Sequence, residues 1–230
     1  MRYTAAFALL LAAAPAAAQS HDDHAHDHEA RAQAGADNPA SQPKPEGWVV
    51  RLDRPDRGTP DDVLFTAMAP GWHVTTGPAA LLYDPASRAT GNYHLESDVF
   101  LFDPGERNEG YGVFFGGSGL DGAEQRYTYF LLRQDGRFII KTRNGDATSV
   151  VRDWTAHPAI RTWANRAEGE ATVENRLVVH VQGDNVLFLA NGAELASVPR
   201  SELGVTDGTY GLRVNHSLNL HVAALAANAL

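Results

Sequence analysis

Six dipeptides of the kind that form tight turns punctuate the chain after residue 120. They are Asp121-Gly122, Asp135-Gly136, Asn144-Gly145, Gly183-Asp184, Asn191-Gly192 and Asp207-Gly208. These residues tolerate the positive φ angles that close β-hairpins. Short alternating or apolar runs of about 5–10 residues lie between them, and no run resembles a long amphipathic helix. The pattern predicts an all-β fold of antiparallel strands.

Two hairpins can be placed directly from these turns. One pairs Tyr127–Arg133 with Arg137–Thr142, and the other pairs Val186–Ala190 with Ala193–Val198. Many strands with short connections are typical of a sandwich, a barrel or a propeller, and the absence of a propeller-type repeat in the sequence favours a sandwich or a barrel. The other predicted strands are Gly47–Leu52, Leu81–Tyr83, Tyr93–Phe102, Tyr111–Gly116, Val150–Trp154, Arg176–Gln182, Tyr210–Val214 and Ser217–Ala224.

The first 46 residues have a different character from the rest. Residues 1–18 combine Arg2, an apolar run and Ala16-Ala17-Ala18, which is typical of a cleavable signal peptide. We therefore expect an exported protein, periplasmic or extracellular. Residues 19–46 are rich in His and Asp and lack apolar periodicity, which predicts a disordered tail. The single β-domain then spans residues 47–230.

Composition limits the classes of partner. The net charge of −9 argues against nucleic acid, which requires a basic surface. The chain contains no Cys, so its stability must come from a hydrophobic core without disulfides. No segment after Gln19 approaches the roughly 20 apolar residues of a transmembrane helix. We expect no membrane insertion, and a monomer.

A series of segments, read in order, resembles a known superfamily. The series is Tyr93–Leu101 (YHLESDVFL), Gly110–Gly117 (GYGVFFGG), Tyr127–Phe138 (YTYFLLRQDGRF), Asn175–Val181 (NRLVVHV), Leu187–Gly192 (LFLANG) and Asp207–Val214 (DGTYGLRV). It resembles concanavalin A-like lectin/glucanase domains, in particular the laminin-G-like and 3-keto-disaccharide hydrolase-type domains. The resemblance implies a jelly-roll sandwich of two antiparallel sheets, one of them concave. Such domains include sugar binders, hydrolases and adhesive modules.

The strand Tyr93–Phe102 carries two carboxylates on one face. Period-2 alternation sends Glu96 and Asp98 to the face opposite Leu95 and Val99. The resemblance implies that this is where glucanases carry a general acid and a nucleophile, about 5–5.5 Å apart in retaining enzymes. The segment is similar to the start of their Glu-x-Asp-x-x-Glu signature, although Leu101 replaces the last carboxylate. A catalytic pair and a solvated polar face both remain open.

The same alternation predicts a polar ligand-binding face. His94, His180, Asn219 and His221 all fall on the side facing away from the core. In the implied sandwich they share one concave surface with the two carboxylates, which suits a polyhydroxylated ligand. Sugars also need an aromatic platform, and Trp72, Trp154 and Trp163 are the candidates for stacking, or else pack under loops.

The tail carries a dense set of metal-ligating side chains. His21, His24, His26 and His28 alternate with Asp and Glu, which favours Cu, Ni or Zn, although a solvated spacer has the same composition. Cleavage after Ala18 would place His21 third from a free amine, a geometry that suits square-planar Cu(II) or Ni(II). The sandwich itself requires no cofactor.

One motif resembles a dinucleotide fingerprint. Gly117–Gly122 has the spacing Gly-x-Gly-x-x-Gly, but a predicted strand follows it where the fingerprint needs a helix, so we interpret it as a hairpin loop. The sequence has no Gly-x-Ser-x-Gly elbow, P-loop or His-Glu-x-x-His. Three hypotheses remain: a carbohydrate-binding module with a metal-binding tail, a glycoside hydrolase using Glu96 and Asp98, and a periplasmic Cu/Ni/Zn-handling protein.

Overall fold

The computed structural model describes residues 44–230 as fifteen strands in two antiparallel sheets. The predicted signal peptide and the four tail histidines lie outside the described residues. Within residues 44–230, no helix is long and apolar enough to cross a membrane. The two sheets confirm the prediction of an all-β sandwich.

The seven-stranded sheet has the order β13-β12-β11-β6-β15-β3-β2. Its strands are β2 (Val63–Ala67), β3 (Trp72–Thr76), β6 (Tyr93–Leu101), β11 (Val173–Gln182), β12 (Asn185–Ala190), β13 (Ala193–Pro199) and β15 (Asn219–Ala229). The central strand β6 therefore has β11 on one side and β15 on the other.

The eight-stranded sheet has the order β1-β4-β14-β7-β8-β9-β10, with β5 also paired to β14. Its strands are β1 (Val49–Leu52), β4 (Ala80–Tyr83), β5 (Arg88–Ala89), β7 (Tyr111–Ser118), β8 (Arg126–Leu132), β9 (Arg137–Asn144), β10 (Ala147–Ala156) and β14 (Gly208–Val214). Four short 3-10 turns complete the described elements: Pro55–Arg57, Pro60–Asp62, Trp163–Asn165 and Arg200–Glu202.

The main core lies between the two sheets. Phe115 and Phe130 of the eight-stranded sheet pack against Phe188 of the seven-stranded sheet, and all three are fully buried. Each such side chain contributes about 1.5–3 kcal/mol through burial of apolar surface. On β6, Leu95 and Val99 enter this core, so the alternate residues of β6 face outward.

Both predicted hairpins are confirmed. β8 pairs with β9 and β12 pairs with β13, each as an antiparallel neighbour. At the second turn, Asn191 has φ 51° and Gly192 has φ 83°, the left-handed conformations that the dipeptide predicts. Gly117 and Ser118 end β7, and residues 119–125 form the hairpin loop to β8, so the Gly117–Gly122 motif lies in a hairpin, as interpreted.

Three strands were not predicted, and several are longer than predicted, among them β10, β11 and β15. β2, β3 and β5 are short and close to prolines, which obscures their alternation. β15 continues to Ala229 because it pairs with β6 along its whole length, although Ala is a poor strand former. Tertiary pairing overrides local propensity here.

A second apolar cluster covers the outer side of the eight-stranded sheet. Its buried members are Leu81, Tyr83, Phe114, Leu120, Tyr127, Tyr129, Leu131 and Ile139. Arg51 ties the 119–125 loop over this side, because its guanidinium donates to the carbonyls of Leu120 and Gly122 and to Gln125 Oε1. This side of the sandwich is therefore closed, and the outer face of the seven-stranded sheet is the more exposed one.

Candidate functional site

The outer face of the seven-stranded sheet gathers the polar residues of β6, β11 and β15. Alternation on β6 turns His94, Glu96 and Asp98 outward, and each is half-buried. The antiparallel register with β11 places His180 opposite His94 and Arg176 opposite Asp98. Cross-strand neighbours on one face have Cβ atoms about 4.5–5.5 Å apart. The register therefore brings five polar side chains into contact.

These five residues, the β6–β11 network, are linked by hydrogen bonds and, at Asp98, by an ion pair with Arg176. His94 Nδ1 lies 2.8 Å from His180 Nε2, and His94 Nε2 lies 3.0 Å from Glu96 Oε2. Arg176 donates from Nη2 to the same Glu96 oxygen, and its Nε lies 3.7 Å from Asp98 Oδ1. Donation from His180 to His94 and from His94 to Glu96 satisfies these contacts with both rings neutral.

The neighbours of Glu96 within the network determine the protonation state of its carboxyl group. Hydrogen bonds from His94 and Arg176 hold the pKa of Glu96 below its usual value, although partial burial acts in the opposite direction. Burial and the neighbouring His94 lower the pKa of His180. Glu96 is therefore an ionised acceptor near neutral pH and has no proton to give. The network is suited to receiving and donating hydrogen bonds.

A band of aromatic rings, the aromatic band, continues the face along β6. Phe102, the residue after β6, meets the edge of His73 with ring centroids 4.7 Å apart, and Phe100 lies 5.6 Å from His221. His73 and His221 are register partners across β3 and β15. Burial lowers the pKa of both histidines. Both rings are neutral near pH 7; His73 is half-buried and His221 is almost completely buried.

The face ends in a cavity of about 840 Å³, the end cavity. It is lined by the first two 3-10 turns, the end of β3, the 216–219 turn and Asp103, the second residue after β6. Its lining includes Asn219, whose side-chain oxygen accepts from Thr75 Oγ1 at 3.0 Å. The volume falls within the range of about 300–1,000 Å³ that encloses small ligands.

Hydrogen bonds hold the walls of the end cavity in place. Thr76 Oγ1 donates to the Asn215 carbonyl, and the Ser217 amide donates to the Gly77 carbonyl. Asp62, which lines the cavity, forms a reciprocal capping box with Thr59 around the second 3-10 turn. The cavity is thus preformed.

The structure places all six predicted strand residues on the outer side of the seven-stranded sheet, as alternation indicated. His94, Glu96, Asp98 and His180 belong to the β6–β11 network, and His221 lies in the aromatic band. Asn219 lines the end cavity and does not touch the network. One surface holds all six, in three adjoining parts.

The tryptophans occupy other positions. Trp154 belongs to β10 of the other sheet, where it packs on the outer apolar cluster below Arg133. It cannot join the predicted ligand residues. Trp72 packs against Trp48, and the guanidinium of Arg166 covers Trp163. Phe100 and Phe102 are the aromatic residues beside the polar network.

Three residues of this face were not assigned roles from the sequence. Arg176 follows the same alternation as His180, but only the register shows that it reaches both carboxylates. His73 lies on an unpredicted strand. Asp103 directly follows the Phe100-Leu101-Phe102 segment, a polar residue at a strand end that marks a potential site.

The described residues contain no preformed metal site. Among residues 44–230, no group of three or more His, Asp or Glu side chains is arranged to hold a metal ion. The predicted metal ligands of the tail lie outside this part of the chain.

Several solved structures are similar to this chain. The carbohydrate-binding module CBM66 from Bacillus subtilis aligns with a TM-score of 0.56 and 14% identity, over 80% of this chain and 96% of that one. A Bacillus subtilis protein of unknown function with a galectin-like fold has a TM-score of 0.57 and 12% identity, over 83% and 93%. The GH16 protein of a Bacteroides ovatus mixed-linkage glucan locus, in complex with an oligosaccharide product, has a TM-score of 0.54 and 6% identity, over 82% and 97%.

These similarities show the concanavalin A-like jelly-roll fold, as the sequence resemblance implied. The sequence matches no protein-family model and no curated protein. Among the similar structures are a carbohydrate-binding module and a glycoside hydrolase.

Proposed function

We propose that the chain is an exported carbohydrate-binding module and that the outer face of its seven-stranded sheet holds the glycan. The observation that carries the proposal is the β6–β11 network, which presents fixed donors and acceptors on a part-exposed surface. The similarity of the fold to a carbohydrate-binding module supports it. Export is supported by the signal-like segment 1–18.

The network has the chemistry that neighbouring sugar hydroxyls require. Each hydroxyl both donates and accepts, so it needs a carboxylate beside a guanidinium or an imidazole. Glu96, Asp98 and the unprotonated Nδ1 of His180 accept, while Arg176 donates. Because salt bridges hold the side chains of the carboxylates and Arg176 in place, binding costs less conformational entropy than it would for free side chains.

Glycoside hydrolysis fits this geometry less well than binding does. Hydrolysis needs one carboxyl group that is protonated near neutral pH. The lowered pKa of Glu96 works against that role, and Arg176 contacts both carboxylates. Release of reducing sugar on incubation with the bound glycan would support the hydrolase alternative.

A glycan array followed by titration calorimetry tests the proposal. The chain beginning at Gln19 should bind at least one neutral glycan on the array. Asp98→Asn and Glu96→Gln should weaken that binding about tenfold each, the equivalent of one or two hydrogen bonds. Asp146→Asn is the matched control, since Asp146 is fully exposed in a turn of the other sheet. Unchanged binding in both network variants would refute this site.

A further inference from the structure

The β6–β11 network and the end cavity are joined by one row of residues. Glu96, Asp98, Phe100 and Phe102 lie on the same side of β6 and its extension, and Asp103 then lines the end cavity. At about 3.3 Å per residue, the row from Glu96 to Asp103 spans about 23 Å. This distance is longer than a single sugar ring, so one monosaccharide cannot contact both ends.

The middle of this row offers a surface on which sugar rings stack. Phe100 and Phe102 are half-buried, and their outer parts face solvent beside the neutral rings of His221 and His73. The apolar face of a pyranose packs on such rings. Polar contacts at one end, an apolar stretch and a polar cavity at the other end make a path suited to an oligosaccharide.

The charges of the end cavity select against an anionic ligand. Its lining includes three carboxylates, Asp61, Asp62 and Asp103, against the guanidiniums of Arg54 and Arg57. Arg54 and Arg57 both lie near the Asp56 carboxylate, at 3.3 Å and 3.9 Å, which reduces their attraction for an outside anion. The Asp62 side chain receives the Thr59 amide. Asp61 and Asn219 are left to bind hydroxyl groups.

We infer that the end cavity is the distal subsite of this path, and that the ligand is a neutral oligosaccharide long enough to reach it from the β6–β11 network. This inference rests on the proposed function and adds the size and charge of the ligand to it. Affinity should therefore rise with chain length and level off once the chain enters the cavity. Glycans rich in uronic or sialic acids should bind more weakly than neutral ones of equal length.

Titrations with oligosaccharides of increasing length measure how affinity depends on ligand length. Gluco-, galacto-, manno- and fructo-oligosaccharides, each from monosaccharide to hexasaccharide, are titrated against the chain beginning at Gln19. Leu64→Trp fills the cavity from β2, and Asp61→Ala removes a free acceptor from its wall. Both variants should bind the longest bound oligosaccharide about tenfold more weakly than the unchanged chain does. Their affinity for the shortest one should change little. The gain in affinity with length should shrink accordingly.

Controls separate this inference from the proposed function. Val150→Trp adds the same side chain at an exposed position of β10 in the other sheet, and it should leave the length series unchanged. Thermal unfolding verifies that Leu64→Trp folds, and Asp61→Ala carries the test if it does not. If neither cavity variant alters the dependence of affinity on length, the inference is overturned. The proposed function would still stand if Asp98→Asn and Glu96→Gln weaken binding. Absence of binding to every neutral oligosaccharide would overturn both.

Discussion

His94 and His180 face each other across β6 and β11 with His94 Nδ1 and His180 Nε2 2.8 Å apart. Only one hydrogen can lie between these nitrogens. With His180 as the donor, His94 accepts at Nδ1 and donates from Nε2 to Glu96. A neutral His180 beside an ionised Glu96 is thus the state that the folded chain favours, which makes stability and binding depend on pH.

Stability should fall as the pH drops below about 6.5. Burial lowers the pKa of His73, His180 and His221 below their usual 6.5 in the folded chain. The unfolded chain then binds more protons than the folded chain, so the free energy of unfolding decreases as the pH falls through this range. Urea unfolding between pH 8 and pH 5 measures the effect.

The matched variant for this pH effect is His180→Gln. It removes one of the three groups and should flatten part of the pH dependence between pH 7 and pH 5. The pKa of Glu96 is lowered from 4.5, so its contribution is retained above pH 4.5 and lost only below it. A free energy of unfolding that stays constant or rises from pH 7 to pH 5 would contradict this account.

Arg176→Ala should reduce glycan binding about tenfold or more while changing stability by less than about 1 kcal/mol. The Arg176 side chain is half exposed, so its ion pairs contribute little to folding. Its loss leaves Glu96 and Asp98 without their shared partner. Arg176→Lys should give intermediate binding, because one ammonium cannot match the fork of a guanidinium.

The control for Arg176 is Arg152→Ala. Arg152 lies on β10 of the other sheet and forms a comparable exposed ion pair with Glu202. Equal losses of binding in the two alanine variants would show that general charge, and not the β6–β11 network, controls the interaction.

Asn175→Ala should destabilise the fold by about 2–4 kcal/mol. Asn175 is fully buried, and its amide donates to the Arg161 carbonyl and to the Tyr111 hydroxyl. Its oxygen accepts from the Arg161 amide and from Asn191. Alanine leaves these buried groups without partners. Asn185→Ala, at an exposed position of β12, should change the free energy of unfolding by no more than about 0.5 kcal/mol.

The N-terminus should bind Cu(II) if the signal peptide is cleaved after Ala18. The mature chain then begins Gln19-Ser20-His21, so the amine, two backbone amides and the imidazole can surround Cu(II) in a plane. The amides must lose protons, so affinity should rise steeply with pH. Mass spectrometry first establishes a free Gln19, and Cu(II) titration of His21→Ala then measures the loss.

A chain that begins near Pro45 serves as the second control for the metal. It should lose the tail's Cu(II), Ni(II) and Zn(II) binding and keep its thermal stability to within about 1 kcal/mol, because residues 19–46 offer little apolar surface. Unchanged Cu(II) affinity and visible spectrum in His21→Ala, with a free Gln19, would leave His24, His26 and His28 as the tail ligands.

The local parts of the fold could be predicted from the sequence because they depend on neighbouring residues. Asp135-Gly136 and Asn191-Gly192 identified two hairpins, and alternation placed Glu96, Asp98 and His180 on one face. These features require only turn chemistry and a period of two.

The remaining features depend on contacts between distant segments. Asn175 meets Tyr111 across 64 residues, which no local pattern indicates. The end cavity forms where the turns near Arg57, the start of the loop at Asp103 and the turn at Ser217 meet. Arg176 reaches two carboxylates only because β11 pairs with β6 in this register. These contacts form only in the tertiary structure, so local sequence patterns could not predict them.

The most direct measurement of the central claim is NMR mapping of the isotopically labelled protein titrated with the best glycan from the array. The account predicts that the amide signals of β6, β11 and β15 shift on binding, with the largest changes around Glu96, Asp98 and Arg176. Shifts confined to the outer side of the eight-stranded sheet, around Tyr127 and Tyr129, would contradict it.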